Sequence, residues 1–324
     1  MQEPIVLIAD IGGTNARFAI ADSSAPYFSN AQTLQCTEFN SIYDAIDVYL
    51  KSQKIESIEA ICFAVAGPII NSAVTFPNSH WHVESSELVK RYRCKQAHLV
   101  NDFKAIAYSV AILGDRDLIE IGSTQNSLIA AKQNFTVGVI GPGSGLGIAG
   151  LHSLDGTLFP ITTEGGHAGF APENILQGEI LNYLRQRFNG RVSRERLLSG
   201  PGLINIYTAL SHIRGQQVET KSAADIAVRG TQEADGLCHE SMQLFFEILG
   251  QTAGDLALSL GAYNGIYIGG GIAQRYPEDL AKSSFRQAFE NKGRHSDILK
   301  DVPTYLISHQ NPGLIGASVL ANQS

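Results

Sequence analysis

In Val137-Gly-Val-Ile-Gly141-Pro-Gly143-Ser144-Gly145-Leu-Gly147-Ile-Ala-Gly-Leu151 an apolar run, a glycine-crowded turn and a second apolar run follow one another. Glycine has no side chain to hold a ligand away and tolerates positive φ, so such a turn can press backbone N–H groups against an anion, of which phosphate is the natural guest. Alone, a glycine hairpin reads as a plain tight turn. Its weight comes from a second stretch of the same layout, Ile5-Val-Leu-Ile-Ala-Asp10-Ile-Gly12-Gly13-Thr14-Asn15-Ala-Arg17-Phe-Ala-Ile20, where Thr14 supplies the hydroxyl that Ser144 supplies in the first. Two phosphate-type turns suggest a nucleotide held between two lobes. A third cluster, Gly269-Gly270-Gly271, lets either something flat lie on the backbone or two elements cross closely.

These residues need elements to position them. Strand patterns cover Ile5 to Ala9, Arg17 to Ala21 and Gln32 to Cys36, followed by an amphipathic helix over Ser41 to Gln53 with Ser41 as its cap. Ala60 to Val65 reads as a buried strand, and Ala97 to Val100 as another that runs into Asn101-Asp102 and a helix with Phe103, Ile106, Ala107 and Val110 on one face. Asn101 and Asp102 thus stand at a strand's C-terminal end, where α/β folds set their sites. They are equally the residue types that cap helices. After Leu113-Gly114-Asp115 the composition shifts at a hinge. The glycine hairpin and the loop Thr162-Thr-Glu164-Gly165-Gly166-His167 then precede helices over Pro172 to Phe188, after Ser193, from Gly202, over Ser222 to Arg229 and over Glu233 to Leu260. Gly265 to Ile268 and Val302 to Ile307 read as strands, and Asn311-Pro312-Gly313 opens a last helix.

At 324 residues, two lobes around a cleft are expected. A hydrophobic content of 44% with 17% charged residues argues for packed cores rather than disorder. The formal charge of −7, with no basic run, offers no footprint for nucleic acid or anionic membrane, so small molecules and a second copy of the chain are the expected partners. Cys36, Cys62, Cys94 and Cys238 lack zinc spacing and read as reduced thiols of a cytoplasmic protein.

Taken together and in order, Asp10-Ile-Gly-Gly-Thr14-Asn-Ala-Arg17, Asn101-Asp102, Gly141-x-Gly143-Ser-Gly145-Leu-Gly147, Glu164-Gly-Gly-His167, Ser199-Gly-Pro-Gly202 and Gly269-Gly-Gly-Ile272 resemble the bacterial glucokinases of the actin, sugar kinase and Hsp70 superfamily. The resemblance runs nearly end to end. It implies an α/β, two-lobed, actin-like ATPase (ribonuclease H-like) fold. Residues 1–112, completed by 303–324, would form the small lobe, and 113–302 the large helix-rich one. It implies a homodimer that phosphorylates glucose with ATP and Mg2+. Asp10, Gly12, Gly13, Thr14 and Asn15 would form one phosphate loop and Gly141, Gly143, Ser144 and Gly145 the other. Asp10 would sit near magnesium through water, and Gly269, Gly270 and Gly271 beside the adenosine. Asn78, Asn101, Glu164, His167 and Glu195 would contact sugar hydroxyls, with Asp102 as catalytic base.

The residues after His167, Ala-Gly-Phe-Ala-Pro-Glu, include no cysteine, unlike the zinc-bearing branch of related kinases and repressors. No helix-turn-helix pattern precedes the first strand. The chain departs from the family at Gly169, where an aspartate is common. Phosphoryl transfer needs charge neutralisation, a positioned hydroxyl and a proton acceptor. Ionised Glu accepts from hydroxyl donors, neutral imidazole accepts or donates, and Asp is ionised at neutral pH. A sugar-responsive regulator on the same fold is the alternative, and an actin-like filament a more distant one. A regulator does not need Asp102 and a filament needs no sugar ligands. Arg17 reads as a structural pairing residue.

Overall fold

The structure, a computed structural model, describes residues 5–21, 27–76, 79–122, 129, 132–217, 221–232 and 236–323. It divides into two units, Met1–Gly114 with His309–Ser324, and Asp115–Ser308. In the first, β1 (Val6–Ile11), β2 (Asn15–Ala21) and β3 (Phe28–Gln35) run antiparallel. Helix α1 (Ile42–Ser52) leads to β4 (Ala60–Val65), and a small hairpin of β5 (Ala73–Thr75) and β6 (His82–Glu84) leads through α2 (Ser85–Tyr92) to β7 (Gln96–Asn101) and α3 (Asp102–Val110). The sheet order is β3-β2-β1-β4-β7, with β4 and β7 parallel to β1.

Strand alternation fills both faces of this sheet. Leu7, Ala9, Ile11, Ile61, Phe63 and Val65 join Ile42, Ala45, Ile46 and Tyr49 of α1 in one core. The intervening Ile8, Ala19, Cys62 and Ala64 join Ala105, Leu314 and Ala317 in another. Ser41 caps α1 as expected, accepting from the Asp44 N–H at 3.2 Å. The second core is built from small residues. A Cβ at Gly316 would overlap the Ala105 backbone, so the C-terminal helix (Pro312–Gln323) lies directly on α3.

The second unit repeats the plan. After β8 (Leu118–Glu120) come β9 (Phe135–Pro142), β10 (Leu146–Leu154) and β11 (Thr157–Thr162), again antiparallel. Helix α7 (Gly236–Leu260) packs on β9, and α4 (Ile175–Arg187), α5 (Gly200–Ile213) and α6 (Ala223–Thr231) pack behind it in the same core. Then follow β12 (Ile266–Ile268), the short helices α8 (Gly271–Arg275), α9 (Pro277–Lys282), α10 (Phe285–Glu290) and α11 (Ser296–Lys300), and β13 (Thr304–Ile307). The order is β11-β10-β9-β12-β13-β8, with β12 parallel to both β9 and β13. Each sheet therefore has an antiparallel three-strand meander followed by two parallel strands. The β1–β2 and β9–β10 glycine turns occupy the same position in each copy.

One sequence expectation needs correction. Strand β13 hydrogen-bonds to β12 and β8, so 303–308 belong to the second unit and the return to the first begins at His309, later than the expected 303. The short helix expected after Ser193 is a single 3₁₀ turn, Arg194–Arg196, which carries Glu195 and ends before Ser199-Gly-Pro-Gly202 starts α5.

Candidate active site

In the first unit, Asp10 stands one residue before the end of β1 and faces Arg17 across the β1–β2 register, with Nη1 3.6 Å from Oδ2. This is the structural pairing expected of Arg17. Burial pushes the Asp10 carboxyl above its ordinary range, and the Arg17 guanidinium acts in the opposite sense. A Cβ at Gly313 would stand 2.8 Å from Asp10 Cγ, so the start of the C-terminal helix has a glycine where the carboxylate approaches. Helix N-termini favour negative charge, which offsets part of the burial cost. The turn beyond is pinned by Gly12 N–H donating to the Asn15 carbonyl at 2.9 Å and Cys36 N–H donating to the Thr14 carbonyl at 2.9 Å. This leaves Thr14 exposed at the tip, next to Gly13.

The β7–α3 junction separates two roles that sequence leaves together. Asn101 is the cap: its Oδ1 accepts from Lys104 N–H at 3.1 Å. That leaves its Nδ2 amide without a partner among the described residues. Asp102 is the first helical residue, and its Oδ1 accepts from Phe103 N–H at 2.9 Å. Asn78 lies outside the described residues.

The second unit brings Glu164, His167 and Glu195 to the start of β10. Glu164 and His167 bracket the 3₁₀ turn Gly165–His167, both exposed. A Cβ at Gly166 would overlap the Leu146 carbonyl, so the paired glycines seat this turn on β10. From the other side, Glu195 Oε2 accepts from the Leu146 N–H at 2.9 Å, and its Oε1 lies 4.0 Å from His167 Nδ1. A Cβ at Gly145 would fall 2.6 Å from Glu195 Oε2, which explains the glycine there. Glu195 thus braces the glycine turn as well as flanking His167, a contact no sequence spacing announces.

The turn itself is clasped by α5, whose Gly200 N–H donates to the Gly143 carbonyl at 2.8 Å. Ser199, the α5 cap, also donates to the Glu195 carbonyl at 2.8 Å. Sequence reasoning missed the ion pairs behind these loops. Arg194 Nη2 meets Asp255 at 3.1 Å, Asp255 meets Lys292 at 3.0 Å, and Lys292 meets Glu173 at 2.6 Å. Arg194 N–H also donates to the Ala168 carbonyl at 2.9 Å, and Gly169 bridges to Ser193, so the His167 and Glu195 turns are hydrogen-bonded to each other. The departure at Gly169 is sterically neutral, since a Cβ there would meet nothing within 4 Å.

The glycines sort by purpose. Gly270, at φ 84°, has no room for a Cβ because the Pro142 carbonyl crosses there. Gly143, Gly269 and Gly271 face open space, with nothing within 4 Å of a Cβ position. The close crossing expected of the third cluster thus falls on Gly270, and Gly269 and Gly271 leave room on the backbone. Open backbone at Gly143 next to exposed Ser144, and at Gly269 and Gly271, fits a phosphate and the flat group attached to it. Asp10 is a single recessed carboxylate, and no group of three His, Cys, Asp or Glu side chains among the described residues could hold a metal ion by itself. That suits a magnesium ion carried by phosphates and held through water rather than a protein cage.

The duplicated meander-plus-parallel plan, with a glycine turn after the leading strand of each copy, defines an actin-like ATPase fold of the kind found in sugar kinases. The glucokinase family profile matches residues 7–324. Glucokinases of Yersinia enterocolitica and Xylella fastidiosa M12 are 37% and 39% identical over 98% of this chain and 96% and 95% of their own. The solved glucokinase of an Antarctic psychrotroph superposes with a TM-score of 0.88 at 33% identity, covering 100% of both chains. The chain belongs to the glucokinase family. More distant solved structures share the fold, among them a ROK family glucokinase of Streptomyces griseus in complex with glucose and AMPPNP, with a TM-score of 0.64 at 19% identity over 99% and 100% of the two chains.

Proposed function

We propose that this chain transfers the γ-phosphoryl group of ATP to the 6-hydroxyl of glucose, giving glucose 6-phosphate, the first step of glycolysis, as a cytoplasmic homodimer. The reading is supported by family membership over nearly the whole chain and by residues suited to each requirement of the reaction. The turns Gly12 to Asn15 and Gly141 to Gly145 receive the phosphate groups, through backbone N–H groups other than those of Gly12 and Gly143, which each turn uses internally, and Gly269 to Gly271 bear the adenosine. Magnesium, when bound, neutralises phosphate charge. Asp10 orients its water shell. Glu164 and Glu195 accept hydrogen bonds from sugar hydroxyls, His167 accepts or donates, Asn101 donates through Nδ2, and Asn78 is assigned to the same sugar.

The observation that carries the assignment of the base is that Asn101, and not Asp102, supplies the α3 cap. Asp102 accepts the hydroxyl proton as the oxygen–phosphorus bond forms, and the electron pair of the broken bond leaves with ADP. A coupled assay with ATP, magnesium and a panel of hexoses tests the whole reading. Saturable, ATP-dependent production of glucose 6-phosphate is expected. Glucose binding without turnover would instead indicate a sugar-responsive regulator.

A further inference from the structure

Helices α7 and α10 cross with their backbones in contact. Gly250 and Gly254 make this possible, since a Cβ at either would strike the carbonyl of Phe285 or Phe289. Beside the crossing runs a groove of about 460 Å³, lined by Glu247 and Gln251 one turn apart on α7, by Ser284, Gln287 and Asn291 along α10, and by Glu173 before α4. Its polar groups are unevenly matched. Glu173 is satisfied by Lys292 Nζ at 2.6 Å. Glu247 accepts from Asn174 Nδ2 and Gln177 Nε2, each at 2.9 Å, but both bonds land on Oε1, leaving Oε2 without a donor among the described residues. Gln251 is only 6% exposed, and its buried Oε1 has no hydrogen-bond partner among the described residues.

No Lys, Arg or His side chain is among the groove's lining residues. Burial raises the Glu247 carboxyl, the mark of a negative charge short of compensation. Glu247 Oε2 and Gln251 Oε1, acceptors one helical turn apart with no donor among the described residues, call for a ligand that brings positive charge and N–H groups together. A metal ion answers less well, because no three metal-ligating side chains converge among the described residues. We propose that this groove binds a small organic ammonium ion, its N–H groups donating to Gln251 Oε1 and the Glu247 carboxylate. Hydroxyl and amide oxygens of Ser284, Gln287 and Asn291 take any remaining donors. The site shares no residue with the sugar and nucleotide machinery.

Isothermal titration of the full chain with putrescine tests this, with tetramethylammonium and potassium chloride at matched ionic strength as comparisons. Putrescine should bind saturably at one site per chain, and tetramethylammonium, which has charge but no N–H, should not. Glu247→Gln and Gln251→Met should each weaken putrescine binding by at least about tenfold, equal to about 1.4 kcal/mol. Unchanged glucose turnover in either variant shows that it is folded. The proposal is overturned by the absence of saturable putrescine binding, by equal binding of tetramethylammonium or potassium, or by unchanged affinity in a folded variant.

Discussion

Asn101 and Asp102 are neighbours with different obligations, and the difference is testable at the level of single atoms. Asn101 uses Oδ1 on the Lys104 N–H, which leaves the amide Nδ2 as the group it can offer a sugar hydroxyl. Aspartate caps helices about as well as asparagine and has no donor when ionised, so Asn101→Asp should leave the melting temperature nearly unchanged while removing the amide donor. A lost hydrogen bond that leaves a buried partner unpaired costs roughly 1–3 kcal/mol. The KM for glucose should therefore rise about tenfold or more, with the KM for ATP unaffected. An unchanged glucose KM would remove Asn101 from the sugar site. This split of roles was not legible in the sequence, where both residues fit a cap. Glu195 was less legible still, because its partner Leu146 stands 49 residues away and the bond is to a backbone N–H.

The glycine turns are the elements on which the proposed nucleotide binding rests, and in the β9–β10 turn Gly143 has open space where Gly145 is required by the fold. A Cβ at Gly143 meets nothing within 4 Å, whereas one at Gly145 falls 2.6 Å from Glu195 Oε2. Gly143→Ala should melt like the wild type and raise the KM for ATP roughly tenfold by holding phosphate off the backbone. Gly145→Ala should displace Glu195 and weaken glucose as well. Steady-state kinetics in both substrates, with thermal melts, separates the two. Equal losses for ATP and glucose at Gly143→Ala would contradict the phosphate role.

Both turns were legible because glycine spacing and flanking apolar runs are local signals. The β5–β6 hairpin, α2 and α9 to α11 were not, since each is too short to show a period. Strand β13 was legible as a strand, but not its sheet, because only its pairing with β12 and β8 assigns it to the second unit.

At the scale of the whole molecule, one sheet plan appears twice, and the chain returns to the first unit only for its last helix. The homodimer proposed for it predicts a sedimenting species of twice the 34.9 kDa chain mass at assay concentrations. A single species at the chain mass would remove the dimer from the account. The proposed reaction depends on one carboxylate. Asp102→Asn preserves shape and removes the proton acceptor, while the cap of α3 stays with Asn101. General-base loss lowers rates by about 10²–10⁴-fold. Turnover by Asp102→Asn, measured with glucose affinity and melting temperature on the same protein, should show kcat lowered by that factor with binding and stability retained. A folded Asp102→Asn enzyme that binds glucose and turns over near the wild-type rate would contradict the assignment of Asp102 as the base.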